Sequence, residues 1–343
     1  IMAMMVILDV LNLPDNMPIV GGERIKFEFS QSTNDYHLNT ELVVYKVGSR
    51  TTEDNNKKLL GYTLYLCSVD RYHDINISLS KYYKGTYDSI IIDILTDLKI
   101  SKGVTVGATK GINEFIAPNW SPLQCCSHIA TRCIDAFNEV PCLFYETIQK
   151  YQLISFVDLY KQKEYCELFI EDSKSATAHI PEKSYRRVLQ FEYIHSNERM
   201  ENMIEGVFGS NNYVYDSLSN VLSTKNYDYY TLAQSGKLPG ISNAPVVVTS
   251  DQTVPQKTSF TLAKSDNSHR IFYTRKVLLG LMDTFKVRVK VPGDFRYNVG
   301  NIINMNIPSK ELGPYQENYS SGRWIITSLK HSFTQNKYEC ILE

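Results

Sequence analysis

Phe285-Lys286-Val287-Arg288-Val289-Lys290-Val291-Pro292-Gly293-Asp294 carries the pattern that decides the fold. Phe285, Val287, Val289 and Val291 take every second place, with Lys286, Arg288 and Lys290 between them. Side chains on an extended chain point alternately to opposite faces, so this stretch predicts a strand with one face in a core and one in water. Pro292-Gly293-Asp294 predicts a turn at its end, with Gly293 available for a positive φ. Val299-Gly300-Asn301 then re-enters the sheet. Ile302-Ile303, Met305 and Ile307 predict another strand, stopped by Pro308. Trp324 to Ser332 and Tyr338 to Leu342 predict a pair joined by a turn at Thr334–Asn336. The block reads as the corner of a β-barrel in which each Gly and Pro is a structural turn.

The other end of the chain has the same period. Ile1 to Leu13 is apolar but short, carries no basic leader and is interrupted by Asp9, so it reads as a first strand rather than a membrane span or signal peptide. Residues 23–30 place Ile25, Phe27 and Phe29 on one face. Residues 41–47 align Val43, Tyr45 and Val47, and residues 59–69 align Tyr62, Leu64 and Leu66. The polar run Ser49 to Lys58 is a long hairpin loop, and residues 74–79 are expected to add a strand. Roughly the first 80 residues are thus an antiparallel β unit.

The middle differs. Ile90, Ile91, Ile94, Leu95 and Leu98 recur at helical spacing after Thr86 or Asp88 as a cap. A second helix starts with Ser121 as N-cap and Pro122 as first helical residue, where a missing N–H costs nothing. Its apolar face is Leu123, Cys126, Ile129, Ala130, Cys133, Ala136 and Phe137. Leu143 to Thr147 and Leu153 to Phe156 predict a hairpin across Gln149-Lys150. Arg187 to Ile194 returns to strand, Glu198 to Glu205 reads as a short helix, and residues 206–232 as short strands and turns. Residues 235–260 read as an extended arm. Residues 270–282 read as a helix using Ile271, Leu278, Leu279, Leu281 and Met282.

Composition narrows the function classes. The chain has 343 residues, enough for several structural units, and 24 Tyr, a residue suited to strand faces and wet protein contacts. Formal net charge is −1 and the basic residues form no stripe, which argues against sequence-specific nucleic-acid binding. The seven cysteines have no CxxC spacing and the seven histidines are dispersed, so no metal or cofactor is expected. Gly103–Gly111 lacks the GK[ST] ending of a phosphate loop. His128 lies between Cys126 and Cys133, a spacing that reads as helix packing before it reads as a nucleophile pair. Glu146 has no visible second carboxylate for glycoside hydrolysis. No catalytic residues are expected, and the chain is read as not an enzyme.

Two blocks resemble a known family. Glu114-Phe115-Ile116-Ala117-Pro118-Asn119-Trp120-Ser121-Pro122, then the helix, then Cys142-Leu143-Phe144-Tyr145-Glu146-Thr147, looks like a segment of T-even-type phage baseplate hub proteins. Val287 to Asp294, Tyr297 to Ile303, Ile307-Pro308-Ser309, Ser321-Gly322-Arg323-Trp324-Ile325-Ile326-Thr327, Lys330-His331 and Tyr338 are similar to the C-terminal barrel of those hubs and of related type VI secretion spikes. The resemblance singles out Pro118, Trp120, Pro122, Tyr145, Glu146, Pro292, Gly293, Gly300, Pro308 and Gly322 as structural motif residues. It implies an α+β, mainly β fold: a tube-type antiparallel β-barrel over residues 1–84, a peripheral α/β domain over 85–180, a second tube-type barrel from 181–205 and 283–343, and a peripheral insertion over 206–282.

What the resemblance implies about function is a homotrimer forming a pseudo-sixfold ring. That ring adapts a sixfold tail tube, or tube-initiator proteins, above to a threefold central spike protein below. It leaves a channel for tape measure protein and DNA and contacts other baseplate proteins, without stable membrane insertion. The expected place is the virion, assembled in the host cytoplasm. Alternatives are the hub part of a type VI-like spike, from which this chain differs by ending at Glu343, a tail-associated cell-wall hydrolase, and a carbohydrate-binding module.

Overall fold

The computed structural model describes residues 1–11, 13–31, 36–52, 60–170, 186–196, 200, 202, 204, 206–216, 220–228, 257–262, 268–307, 321–334 and 337–343. Of the expected helix at 198–205, Met200, Asn202 and Ile204 are described and are helical; the arm at 235–260 except its last residues, the loop tip after Thr52, Pro308 and the hairpin tip after Thr334 lie outside the described residues. The fold is mixed α/β and mostly strand. It divides into two units, one of Ile1–Val106, Gly111–Ile129 and Phe144–Leu153, the other of Gly107–Lys110, Ala130–Leu143 and Ile154–Glu343.

The first unit is built on β1 (Met2–Asp9), β2 (Arg24–Gln31), β3 (Tyr36–Thr52) and β4 (Leu60–Ser68), after the one-turn α1 (Leu13–Asn16). They form an antiparallel sheet in the order β1-β4-β3-β2, an open half-barrel whose edges are β1 and β2. One face is a core of Leu42, Val44, Tyr62, Leu64 and Leu66, with Ala3, Met5, Ile7, Ile25, Phe27 and Val47 packed on it. The expected Val43, Tyr45, Val47 alignment is corrected here. The register shifts between Val44 and Lys46, a β-bulge that turns Tyr45 to solvent and brings Val44 and Val47 to the same face.

The expected strand at 74–79 is also corrected. Val69–Ile75 is helix α2, packed against β3 and β4. Only Leu79 makes a bridge, with Trp120. The sequence alternates there through Ile75, Ile77 and Leu79, but Asp70 and Asp74 are buried acceptors that a solvated strand face would not provide. After β5 (Tyr82–Gly85), helix α3 (Tyr87–Leu98) buries Ile90, Ile91, Ile94, Leu95 and Leu98 as its spacing predicts, and ends on Lys99 in the left-handed region (φ 56°). Strands β6 (Gly103–Val106) and β7 (Asn113–Ile116) lead to α4 (Pro122–Arg132). The apolar face of α4 is shorter than expected: the helix stops at Arg132, and Phe137 is 83% exposed in a turn. Strands β8 (Cys142–Glu146) and β9 (Lys150–Ser155) form the expected hairpin in a three-stranded sheet, β6-β9-β8.

The second unit holds α5 (Phe156–Lys161), β10 (Glu164–Phe169), β11 (Gln190–Ser196), β12 (Gly209–Asp216), β13 (Val221–Asp228), β14 (Lys257–Leu262), α6 (Ser268–Thr284), β15 (Phe285–Pro292), β16 (Ile302–Asn306), β17 (Gly322–Ile325), β18 (Leu329–Thr334) and β19 (Lys337–Leu342). Strand β15 buries Val287, Val289 and Val291, and it sits in the antiparallel sheet β11-β15-β19-β18. The expected single strand over 324–332 is two strands. β17 pairs with β16 in the sheet β10-β16-β17, whereas β18 pairs with β19. Both sheets share one core, in which Leu168, Val289, Val291, Met305, Ile326 and Cys340 are fully buried. A separate core joins Val140, Phe156 and Val157 to Tyr273, Val277 and Leu278 of α6. Leu279, expected in that face, is exposed instead, because Val277 and Tyr273 set the buried stripe.

The corner between α2 and α4 depends on one carboxylate. Asp74, with no side-chain exposure, accepts from the Leu123 N–H (2.7 Å), the Ser121 hydroxyl (3.1 Å) and Arg71 Nη1 (2.9 Å). Ser121 was expected to cap α4 by itself, but its hydroxyl donates to Asp74, and Asp74 takes the N–H that a cap would take. Replacing Asp74 with Ala leaves the Leu123 N–H and the Ser121 hydroxyl without their acceptor, while the exposed Arg71 can turn to water, and a loss of about 2–3 kcal/mol is expected. Urea unfolding of D74A checks this. A loss under about 0.5 kcal/mol, the range of surface substitutions, would show that the corner is held by other contacts.

Candidate assembly interface

Strand β1 combines three properties that water does not favour together. Its residues are apolar on both faces, it is long, and it lies at the edge of a sheet. Pairing with β4 (Met4 opposite Tyr65, Met5 opposite Leu64, Val6 opposite Thr63, Ile7 opposite Tyr62) sends Ala3, Met5 and Ile7 into the core. Met2, Met4, Val6 and Leu8 therefore point the other way, at 72%, 63%, 65% and 65% exposure. Asp9 ends the apolar run. It is buried, and its carboxylate accepts from the N–H groups of Leu11 (2.7 Å) and Leu13 (2.6 Å), which fixes the exit of the strand.

The opposite edge is built differently. On β2, Arg24, Lys26 and Glu28 alternate with Ile25, Phe27 and Phe29, so its outward face is charged. Charged side chains on an edge strand discourage pairing with a second chain, and β1 lacks that protection. Among the described residues, β4 is the only strand paired with β1. Burying each of its four outward side chains against a partner would contribute about 1.5–3 kcal/mol, and association costs about 4–15 kcal/mol, so this strand alone supports a modest interface and a shared one supports a tight one.

The motif residues of the middle block serve as local structure. Pro118 is exposed, Asn119 takes a positive φ (58°), and the Trp120 carbonyl accepts from Leu79 N–H (2.8 Å). The Trp120 ring meets His128 edge-on at 5.0 Å, and Phe115 lies 6.2 Å from the same imidazole. Pro122 opens α4 and is buried. Tyr145 donates to Gln152 Oε1 (3.0 Å), and burial pushes its phenol up to about 12. Glu146 accepts from Lys102 Nζ (2.5 Å). Burial raises its carboxyl, and the Lys102 ammonium beside it lowers it. Trp120, Pro122 and Glu146 belong to one unit. Burial pushes the Cys125 thiol up to about 11 and that of Cys126 higher, the opposite of activation. The Gly103–Gly111 run is strand β6 paired in parallel with β9, followed by no helix.

In the C-terminal block the structure gives each Gly a distinct reason. Gly293 was expected to supply a positive φ, but it is not among the glycines that adopt one. It is needed for close approach instead: a Cβ there would come within 2.2 Å of the Tyr338 ring, and its N–H donates to the Tyr338 carbonyl (2.9 Å). Gly300 (φ 88°) and Gly322 (φ 137°) occupy the left-handed side of φ that favours glycine. Pro292 ends β15 opposite Glu339, and Pro308 lies outside the described residues. Asp294, which sequence reasoning treated only as a turn residue, accepts from Tyr165 Oη (2.9 Å), Arg296 N–H (2.9 Å) and Arg296 Nη2 (2.8 Å). Burial raises its carboxyl, and these donors outweigh burial and hold it below the usual carboxylate range. Among the described residues no His, Cys, Asp and Glu cluster could hold a metal ion, and no helix is long and apolar enough to cross a membrane.

No protein-family model matches the chain, and no curated protein is significantly similar to it in sequence. Solved structures are similar in fold. A tail protein from Neisseria meningitidis aligns over 99% of this chain and 86% of its own, with a TM-score of 0.58 and 10% identity. A 43 kDa tail protein of prophage MuSo2 from Shewanella oneidensis aligns over 99% and 86%, with a TM-score of 0.52 and 9% identity. A component of the type VI secretion system from Escherichia coli aligns more loosely, over 99% and 68%, with a TM-score of 0.48 and 9% identity. The chain thus shares the fold of phage tail proteins at low sequence identity.

Two outcomes follow from the C-terminal corner. Gly293→Val is expected to lose about 1–3 kcal/mol, because Tyr338 is held between Phe295 (4.7 Å) and Phe333 (4.5 Å) and has no room to retreat. A melting curve matching wild type would remove the close-approach argument. Asp294 binds its proton less readily folded than unfolded, so its contribution is complete above the unfolded value of about 3.9 and fades as pH falls through the lower folded value. The melting-temperature gap between wild type and Asp294→Asn should therefore shrink as pH falls from 7 to below 4. A gap independent of pH would contradict this.

Proposed function

We propose that this chain is a structural subunit at the tip of a contractile phage tail, a baseplate hub that works by binding and opening rather than by bond-making. Three copies form a ring in which β-sheets from both ends of each chain line a central channel. That ring matches a sixfold tube on one side and a threefold spike on the other, with tape measure protein and DNA leaving through it. The virion is its place of action.

The observation that carries this reading is β1: an edge strand apolar on both faces, in a chain whose whole length takes the fold of phage tail proteins. A cyclic assembly in which the β1 edge of one copy meets an edge strand of the next satisfies its backbone and covers Met2, Met4, Val6 and Leu8 together. The charged β2 edge suits the same arrangement, since it limits off-register pairing. The absence of a basic stripe suits a wall past which DNA slides without being held.

The test is the oligomeric state. Light scattering of the purified chain, alone and with its spike, is expected to give a trimer, and negative-stain images a ring with six lobes. Val6→Lys should shift the species toward monomer while leaving the monomer's melting within about 0.5 kcal/mol, because Val6 points to solvent in the single chain. A monomer or a dimer in both conditions, or a trimer indifferent to Val6→Lys, would overturn the proposal or its assignment to β1.

A further inference from the structure

All seven cysteines are buried and none forms a disulfide, and the assembly proposed above uses none of them. Two are brought together. Where α4 ends, the chain turns back through Ala136, Phe137 and Asn138 and runs into β8. Ile134 and Pro141 form an antiparallel bridge, flanked by Asp135 N–H donating to Val140 O (2.9 Å) and Cys142 N–H donating to Cys133 O (3.3 Å). That pattern sets Cys133 opposite Cys142 at the next rung, joined by one backbone hydrogen bond, and residues directly opposed in an antiparallel pair have Cα atoms about 4.5–5.5 Å apart. A disulfide spans Cα separations of about 4.4–6.8 Å, so the backbone is already set for one. None of the other cysteines stands opposite a cysteine in a ladder: Cys67 faces Met2 and Val43, Cys166 faces Ile303, and Cys340 faces His331.

A cation lies against this pair. Arg275 of α6 donates through Nη1 to the carbonyls of Ala130 (3.3 Å) and Cys142, and its charge acts on both thiols. Its partners there are carbonyls, which carry no countercharge. The thiolate is the form that exchanges with disulfides. The loop between the two cysteines is independently fixed. Buried Asp135 accepts from Phe137 N–H (3.1 Å), Asn138 N–H (2.7 Å) and Asn138 Nδ2 (2.9 Å), so closing the base does not require the tip to rearrange.

We propose that Cys133 and Cys142 are a redox-active dithiol that a low-molecular-weight disulfide converts to an intrachain disulfide. One thiol gives its proton to water, and its sulfur attacks the small disulfide. A mixed disulfide forms and one small thiolate leaves. The second cysteine, deprotonated in turn, attacks the protein sulfur of that mixed disulfide; the Cys133–Cys142 bond forms and the second small thiolate leaves. Two protons and two electrons pass from the pair to two small thiols. The bond staples the end of α4 to the first residue of β8 around the loop that presents Phe137. Its formation needs only transient opening of that loop, and it is reversed by a dithiol reductant.

The test uses the full chain, incubated folded with oxidised glutathione, quenched with acid, then denatured and alkylated. Trypsin releases residues 133–150 as one peptide, which holds both cysteines and no internal Lys or Arg. The expected result is a peptide lighter by two hydrogens, unalkylated at both cysteines and restored by dithiothreitol, while Cys67, Cys125, Cys126, Cys166 and Cys340 are alkylated. Cys142→Ser should abolish the loss of alkylation at Cys133 or leave glutathione attached there. Full alkylation of the wild-type peptide, glutathione retained on it, or a disulfide between any other two cysteines would overturn the proposal. None of these outcomes depends on whether the chain forms a ring.

Discussion

A β-strand at the edge of a sheet leaves half of its backbone donors and acceptors without a ladder, and much of this molecule is arranged around where those groups go. The four-stranded sheet of the first unit has edges of two kinds. β2 carries Arg24, Lys26 and Glu28 on its outward face and is at ease in water. β1 presents Met2, Met4, Val6 and Leu8 outward and Ala3, Met5 and Ile7 inward. A strand apolar on both faces is what the interior of a larger sheet requires. The asymmetry between the edges is informative in itself: two sticky edges favour open-ended stacking, whereas one sticky and one guarded edge favour a defined, closed partner arrangement.

Inside each unit, corners are held by buried carboxylates rather than by long apolar contacts. Asp9 receives two backbone N–H groups at the exit of β1, Asp74 joins α2 to the start of α4, Asp135 ties the turn after α4, and Asp294 ties the turn after β15 to Tyr165 of β10. Each has short local donors, so the cost of burying the charge is offset on the spot. This device suits a chain that must place many short strands accurately with few long helices to brace them.

The periodic parts were legible in the sequence. The alternation at 285–291, the spacing of α3, and the Tyr62, Leu64, Leu66 face all appear as read. The failures have physical causes. One inserted residue at Tyr45 reverses which side chains face inward, and a bulge leaves no mark in residue type. Residues 74–79 alternate by accident, while tertiary acceptance by Asp70 and Asp74 selects a helix just before them. The Trp324–Ser332 run was taken as one strand because periodicity cannot see that the chain passes from one sheet to another at Ile326. Strand β1 was readable and was read only in part. Eight consecutive apolar residues, Ile1 to Leu8, have no polar face to give to water.

Near-complete alignment with two tail proteins at 9–10% identity has a physical reading. An alternating strand constrains polarity at every second position and little else, so residue identity drifts while topology holds. Geometry constrains residue type more narrowly at Gly293, where the Tyr338 ring leaves no space for a Cβ, and at Gly300, where φ is 88°. Those positions keep a corner, and a corner is compatible with many functions, because a fold does not by itself specify what a protein does. The functional argument therefore rests on the one strand that the isolated chain does not explain. Folding alone gives no reason to keep Met2, Met4, Val6 and Leu8 apolar once Ala3, Met5 and Ile7 have filled the core. Association does, since it uses the same side chains that make the free edge unfavourable.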